Sequence, residues 1–249
     1  MMNSLYAVLF GIIQGFTEFL PVSSSGHLVI AEHLLPQLES PGVLFEVILH
    51  AGTVLSILIY LRKTVLKLLF DNLWFLIIGS IPAGVIGLLF DDYIEQIFAS
   101  ISAVGVFLLI TALINYGTDR VKGKGTNEFS LKNSFLIGLA QSFAILPGIS
   151  RSGSTIFAGT RLGISRERAA EFSFLLSIPA ILGANILQIA KYGFEGTSDW
   201  STYIVGFIAA FISGYIAIDM LLKLLNSKRF KYFSYYCVLA GLGVLLFMQ

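Results

Sequence analysis

An all-α polytopic membrane protein is predicted by three features of this 249-residue chain. Only 12% of its residues are charged, about half of the roughly 25% usual in globular domains. Its apolar runs approach the roughly 20 residues that a helix needs to cross a bilayer with every backbone group satisfied inside the segment. And the polar residues, instead of being spread along the surface, collect in two short motifs inside apolar sequence. A net charge of +1 leaves no basic face for a nucleic-acid backbone. The single cysteine, Cys237, lies in an apolar run, excludes an intrachain disulfide or a cysteine metal cluster, and reads as a small core residue. The N-terminus does not read as a typical cleavable signal, because it lacks a basic leader and Glu18 interrupts its apolar run.

The first motif begins at Gln14 and ends at His27, and a short loop (35–41) follows its apolar continuation. Spans are then predicted at 44–61, 73–90 and 101–116. A polar linker, 117–133, carries Gly123, Gly125 and four bases, and a second broken apolar region occupies 134–159. Further spans are predicted at 172–190, 203–225 and 233–248. A shift of 127 positions aligns Gly11, Gln14, Phe16, Ser23, Ser25 and Gly26 with Gly138, Gln141, Phe143, Ser150, Ser152 and Gly153 without a gap. The same shift pairs Phe45 with Phe172, and Gly79, Ile81, Ala83 and Gly87 with Gly206, Ile208, Ala210 and Gly214. We read one membrane domain over 1–249, made of a repeat at 5–116, the linker, and a second repeat at 134–248.

Charge sets the expected orientation. Of sixteen bases, all but Arg151 and Lys191 fall in four loops, near 61–72, 117–133, 161–171 and 223–231. The intervening loop at 91–100 holds Asp91, Asp92 and Glu95 without a base, and 191–201 sets Lys191 beside Glu195 and Asp199. The positive-inside rule makes the four basic loops cytoplasmic. That works only if 134–159 enters and leaves on the cytoplasmic side as a re-entrant helix pair, with 5–35 doing the same from outside. Each half then has three true spans, so the halves are inverted, both termini lie outside, and the two breaks meet near the midplane. Irregular backbone at that depth marks a binding site.

The chemistry sits in the breaks. In Gln14-Gly15-Phe16-Thr17-Glu18, Gln14 and Glu18 are four apart and share a helix face. Glu18 can ligate a divalent cation or act as base, whereas Gln14 adds only a neutral oxygen. His27, close to Ser23, Ser24 and Ser25, can be general base, acid or nucleophile. His33 and His50 have no polar neighbours in sequence and read as packing or interfacial residues. The second motif sets Arg151 among Ser150, Ser152, Ser154 and Thr155, between Gly148 and Gly153. A guanidinium fork, hydroxyls, close backbone approach at glycine and a helix N-terminus together make an oxyanion cradle. A purely structural Arg151–Glu18 ion pair is the simpler alternative, but it leaves the hydroxyls and His27 unexplained. These residues point to phosphate-ester or anhydride chemistry inside a membrane. An inverted-repeat transporter or polyprenyl-lipid flippase is the rival reading of the same layout.

At these residues the sequence resembles the undecaprenyl-diphosphate phosphatase family, the bacitracin-resistance proteins. The resemblance is carried by Gln14-x-x-x-Glu18, by Pro21-Val-Ser-Ser-Ser-Gly-His27 and by Pro147-Gly-Ile-Ser-Arg-Ser-Gly-Ser-Thr155. It continues through Phe45-Glu46-Val47, Ile81-Pro82-Ala83 and Phe172-Ser-Phe-Leu-Leu-Ser-Ile-Pro179. It implies a plasma-membrane enzyme of bacterial type that removes the terminal phosphate of undecaprenyl diphosphate, so recycling the lipid carrier for wall polymers. It also implies a divalent cation, Mg²⁺ or Ca²⁺, inverted repeats with re-entrant helices, and a site that opens outward. By position it makes Glu18 the essential acidic residue and a metal ligand, His27 the histidine, Ser24 the proposed nucleophile, with His27 or water as the alternatives, and Arg151 the phosphate-binding arginine. Ser150 and Thr155 match phosphate contacts, and Gln14, Ser23, Ser25, Gly26, Gly148, Ser152 and Gly153 complete the expected substrate site. Gln14 stands where some members have a second glutamate, which weakens a two-carboxylate metal site. The expected partners are a polyprenyl diphosphate lipid and the bilayer. Gly- and Ala-rich faces such as 79–87 serve either packing within one chain or a homodimer.

Overall fold

The computed structural model describes residues 4–35, 42–71, 73–121, 125–126, 128–193, 200–225 and 229–248. Gly123, which entered the linker reading, and Lys122, Lys124, Glu195, Asp199 and Lys228, which entered the charge reading, lie outside these residues. Among the described residues there are twelve helices and no strand beyond a single bridge between Thr126 and Ile164. The first half contains α1 (Ser4–Phe19), α2 (Ser24–Leu34), α3 (Val43–Tyr60), α4 (Arg62–Asp71), α5 (Leu73–Leu89), α6 (Asp91–Phe98) and α7 (Ile101–Arg120). The second contains α8 (Leu131–Phe143), α9 (Arg151–Arg161), α10 (Arg166–Tyr192), α11 (Trp200–Leu225) and α12 (Phe230–Phe247).

Five helices, α3, α7, α10, α11 and α12, are long and apolar enough to cross a membrane. A sixth predicted span, 73–90, is α5, which meets that standard only together with α6, from which it is bent by 78°. The bend falls where sequence polarity changes, at Asp91 and Asp92 in the first turn of α6. The two charged segments expected as loops at 61–72 and 91–100 are in fact helical, as α4 and α6. Lys191 holds α6 to the end of α10, with Nζ 3.0 Å from Asp91 Oδ2 and 2.7 Å from Glu95 Oε2. The linker is also shorter than its composition indicated, because α7 continues to Arg120. Past it, Thr126 pairs with the turn between α9 and α10, and the Phe129 ring meets Phe172 at 4.7 Å, tilted by 38°.

The breaks fall as expected, between α1 and α2 and between α8 and α9, and each has a local cause. In the first, Pro21 lacks a backbone N–H and Ser23 adopts φ +73°, a left-handed value rare outside glycine. In the second, Pro147 is followed by Gly148 at φ +101°, where a Cβ would come within 2.6 Å of the Val104 carbonyl.

Small residues let the helices around the breaks approach closely. α1 packs against α11, where a Cβ on Gly11 would lie 2.6 Å from the Gly206 carbonyl oxygen. α8 packs against α5, where a Cβ on Gly138 would lie 2.0 Å from the Gly79 carbonyl oxygen. Gly79 therefore packs within the chain. Gly84, on the same helix, has open space beside it. Beneath the site, Phe19 meets Phe174 edge-on at 5.4 Å within a core that includes Ile57, Ile218 and Leu221. Gly138→Ala should cost about 1–3 kcal/mol by overpacking, read as a lower thermal midpoint in detergent. Gly84→Ala should leave the midpoint unchanged or raise it.

Candidate active site at the two helix breaks

The two breaks are joined by hydrogen bonds. Ser23 is the N-cap of α2, where its Oγ accepts from the Gly26 N–H at 3.4 Å, and it also accepts the Gly148 N–H at 3.1 Å. Ser150 is the N-cap of α9 and accepts the Gly153 N–H at 3.1 Å. Two helix N-termini thus face one small space, and each presents the partial positive charge of unpaired backbone N–H groups. A cavity of about 40 Å³ lies there, lined by Thr17, Glu18, Ser23, Ser24, Ser25, Ala144, Ile149, Ser150 and Arg151.

Glu18 ends α1 and is 8% exposed. Its Oε1 accepts from Arg151 Nη2 at 2.5 Å, and its Oε2 accepts from Ser24 Oγ at 2.7 Å and from Gln14 Nε2 at 3.2 Å. Arg151 also donates from Nη1 to the Ser173 carbonyl at 2.9 Å, which leaves part of its five-donor fork for a ligand. Thr155 lies behind it, with its Oγ1 2.6 Å from Ser173 Oγ. Ser152 donates to the Leu20 carbonyl at 3.2 Å, so it binds break to break rather than lining the cavity. Gly26 and Gly153 supply the capped N–H groups.

The ion pair weighed as the simpler alternative does form, but one carboxylate oxygen is left for the Ser24 hydroxyl. His27 is not brought to the cavity lining. Its Nδ1 lies 2.7 Å from the Ser23 carbonyl and its Nε2 2.6 Å from the Tyr236 hydroxyl of α12. His50, read as packing, interacts electrostatically with both Glu18 and Arg151 from α3.

The residues that sequence reasoning passed over lie mostly on α7. Thr111 Oγ1 donates to the Gly148 carbonyl at 2.7 Å and accepts the Ser150 N–H at 2.9 Å. Asn115 Nδ2 donates to the Pro21 carbonyl at 2.6 Å. The signal was present, since Thr111 and Asn115 are polar residues four apart in an apolar span, hence on one face. Ser173 gave no such signal; its backbone carbonyl meets Arg151 as a consequence of tertiary packing alone.

For a divalent cation, the buried Gln14 Oε1 has no hydrogen-bond partner, and it stands beside Glu18. One carboxylate and one neutral oxygen, with phosphate oxygens to complete the set, suit Mg²⁺, which is commonly held by one or two carboxylates and its substrate. The residues present therefore fit the cation. No group of three His, Cys, Asp or Glu side chains placed to hold a metal occurs among the described residues, so the ligand set is incomplete without a phosphate.

Fold and site together define a polytopic helical membrane protein with a buried polar cavity where two broken helix pairs meet. The chain belongs to the bacitracin-resistance protein BacA family, whose model matches residues 7–243. It is 41% identical to the undecaprenyl-diphosphatase of Carboxydothermus hydrogenoformans over 255 residues, covering 98% of this chain and 97% of that protein. The undecaprenyl-diphosphatases of Methanosphaera stadtmanae and Halothermothrix orenii are 38% and 40% identical, with 97% of each chain covered in both cases.

Asn115→Ala should leave the Pro21 carbonyl only the weak Cys237 thiol donor at 3.9 Å and destabilise the protein by about 1–3 kcal/mol. Amide hydrogen exchange should rise first at residues 20–23, ahead of the α7 backbone.

Proposed function

We propose that this protein is an integral-membrane phosphatase that hydrolyses undecaprenyl diphosphate to undecaprenyl phosphate and inorganic phosphate. Such an enzyme recycles the lipid carrier of cell-wall synthesis and confers resistance to bacitracin. The observation that carries the reading is Glu18, shared between the Ser24 hydroxyl and the Arg151 guanidinium at a cavity flanked by two helix N-termini. The undecaprenyl-diphosphatase names of the similar proteins support it.

In this reading Arg151, Ser150 and the N-terminal N–H groups of α2 and α9 hold the terminal phosphate. Glu18 Oε2 takes the Ser24 proton as Ser24 Oγ bonds to phosphorus, and the bond to the lipid phosphate breaks with its electrons on that oxygen. The leaving group is a phosphate anion and needs no proton. Water then attacks the phosphoserine, Glu18 returns its proton to Ser24 Oγ, and water's hydrogens leave on the inorganic phosphate. A divalent cation, Mg²⁺ or Ca²⁺, would be held by Glu18 with Gln14 Oε1, and when bound it neutralises charge on the phosphate oxygens.

The same reading has the halves inverted. At the 127-residue shift α1 corresponds to α8 and α11 contains the counterpart of α5, and the packed pairs α1–α11 and α8–α5 exchange accordingly. It places the chain in the bacterial plasma membrane with both termini and the site opening outside, on the charge asymmetry of its loops.

Purified protein in detergent should release phosphate from undecaprenyl diphosphate, and chelation should suppress the release. Glu18→Gln keeps the side chain's shape but removes the base, and Ser24→Ala removes the nucleophile; each should lower kcat by about 10²–10⁴-fold. Arg151→Lys keeps the charge but loses the fork, and should lower kcat/KM without unfolding the protein. Absence of phosphate release by folded wild-type protein would turn the reading to the transporter.

A further inference from the structure

His27 is expected to transfer protons, yet its ring has no edge free for a substrate in this arrangement. Nδ1 faces the Ser23 carbonyl at 2.7 Å and Nε2 faces the Tyr236 hydroxyl at 2.6 Å. The imidazole lies nearly parallel to the Tyr236 ring, at 5.5 Å and 10°. A carbonyl can only accept, so Nδ1 carries the proton. A neutral ring then has a bare Nε2, and the tyrosine hydroxyl donates to it. Both nitrogens are committed.

The atom that Nδ1 holds belongs to a special residue. Ser23 is the one non-glycine residue at positive φ among the described residues, at +73°. Its carbonyl accepts two donors, the His27 backbone N–H at 3.2 Å and the His27 ring. Its Oγ joins the two breaks by accepting from Gly26 and from Gly148. A left-handed serine persists only when its surroundings hold it. The ring supplies one hold on the carbonyl side, while the Gly26 and Gly148 N–H groups supply the other on the side chain.

We infer that His27 is a positioning residue, not the proton-transfer group, and that Tyr236 of α12 completes its hold by fixing the tautomer that pins the Ser23 carbonyl. The chain of contacts runs from Tyr236 to His27, to Ser23 and to the Gly148 N–H. The C-terminal helix thereby bears on the alignment of Ser24 and Arg151 without touching the cavity. This inference rests on the phosphatase reading, and its tests separate the two.

Asparagine places its Nδ2 where Nδ1 of histidine stands, whereas glutamine mimics only Nε2. Neither can exchange a proton near neutral pH. His27→Asn should keep kcat within about tenfold of wild type, and His27→Gln should lose a hundredfold or more. Tyr236→Phe, which keeps the stacked ring, should lower kcat about threefold in the wild type and cause no further loss in the His27→Asn background. Equal inactivity of folded His27→Asn and His27→Gln would overturn the inference in favour of acid–base catalysis, as would a Tyr236→Phe loss of the same size in both backgrounds. A readout independent of turnover is ¹⁵N resonance of histidine-labelled protein, with His27 assigned by the His27→Asn variant. The inference expects a protonated Nδ1 and a bare Nε2 whose signal moves in Tyr236→Phe. A protonated Nε2 with a bare Nδ1 would overturn it, whereas wild-type protein that shows the expected tautomer but releases no phosphate would refute the phosphatase reading alone.

Discussion

A carboxylate and a guanidinium placed between apolar helices have little water to fall back on, so the Glu18–Arg151 pair governs what the surrounding structure must do. Each group alone would be costly to bury, and breaking such a pair typically costs about 3–5 kcal/mol. The two come from different halves of the chain, from the end of α1 and the start of α9. The breaks must therefore meet in register for either charge to be tolerated. Pairing alone would be served by a closed, fully satisfied bridge. Instead Glu18 divides its oxygens between Arg151 and the Ser24 hydroxyl, and a cavity stays open beside them. The burial cost is offset in a way that also holds the Ser24 hydroxyl against the Glu18 carboxylate.

Keeping two irregular loops in register is the work of neutral hydrogen bonds. Backbone groups freed by Pro21 and Pro147 have no helix to bond to and must be satisfied by neighbours. α7 supplies them in a stripe, with Thr111 on Gly148 and Ser150 and Asn115 on Pro21. Ser152 and Ser23 add direct bonds from one break to the other. The glycine contacts of α1 on α11 and of α8 on α5 then fix how near the hairpins come to their supports. The hydroxyls and amides of Ser23, Thr111, Asn115 and Ser152 thus bind the breaks to each other and to α7.

The layout was legible where periodicity and charge decide it. The apolar runs located five of the six predicted helices to within four residues at each end and began α10 six residues late, and the Pro-Gly and Pro-Val-Ser signals located the breaks, because proline and polar clusters interrupt a membrane helix for local reasons. Charged segments were misread as loops at α4 and α6, since amphipathic helices at a membrane edge look like loops when apolarity is the only guide. Of the residues singled out by type, Glu18, Ser23, Ser24, Ser25, Ser150 and Arg151 line one cavity. Residue types did not place His27, because which way a ring points depends on Tyr236, more than two hundred positions away. Nor could they show His50 close enough to the ion pair to feel it, or the Ser173 carbonyl against Arg151, both of which are set by the packing of α3 and α10.

At the 127-residue shift the cavity lining itself falls into corresponding positions. Thr17 answers to Ala144, Ser23 to Ser150, and Ser24 to Arg151, and all six line the space. The capping serines are the same on both sides, because each break needs its helix start satisfied and its N–H groups aimed at the cavity. The chemistry-bearing positions differ. Ser24 faces an arginine, Glu18 corresponds to Ile145, and His27 corresponds to Ser154. A site with two arginines or two glutamates at this distance would be held apart by like charge and would bind either the anion or the cation, not both. Dividing the residue types, with carboxylate and serine on one break and the guanidinium on the other, neutralises the pair and leaves both helix N-termini directed at the cavity. Likeness of backbone with difference of side chain is what the chemistry demands of two halves that meet at one site.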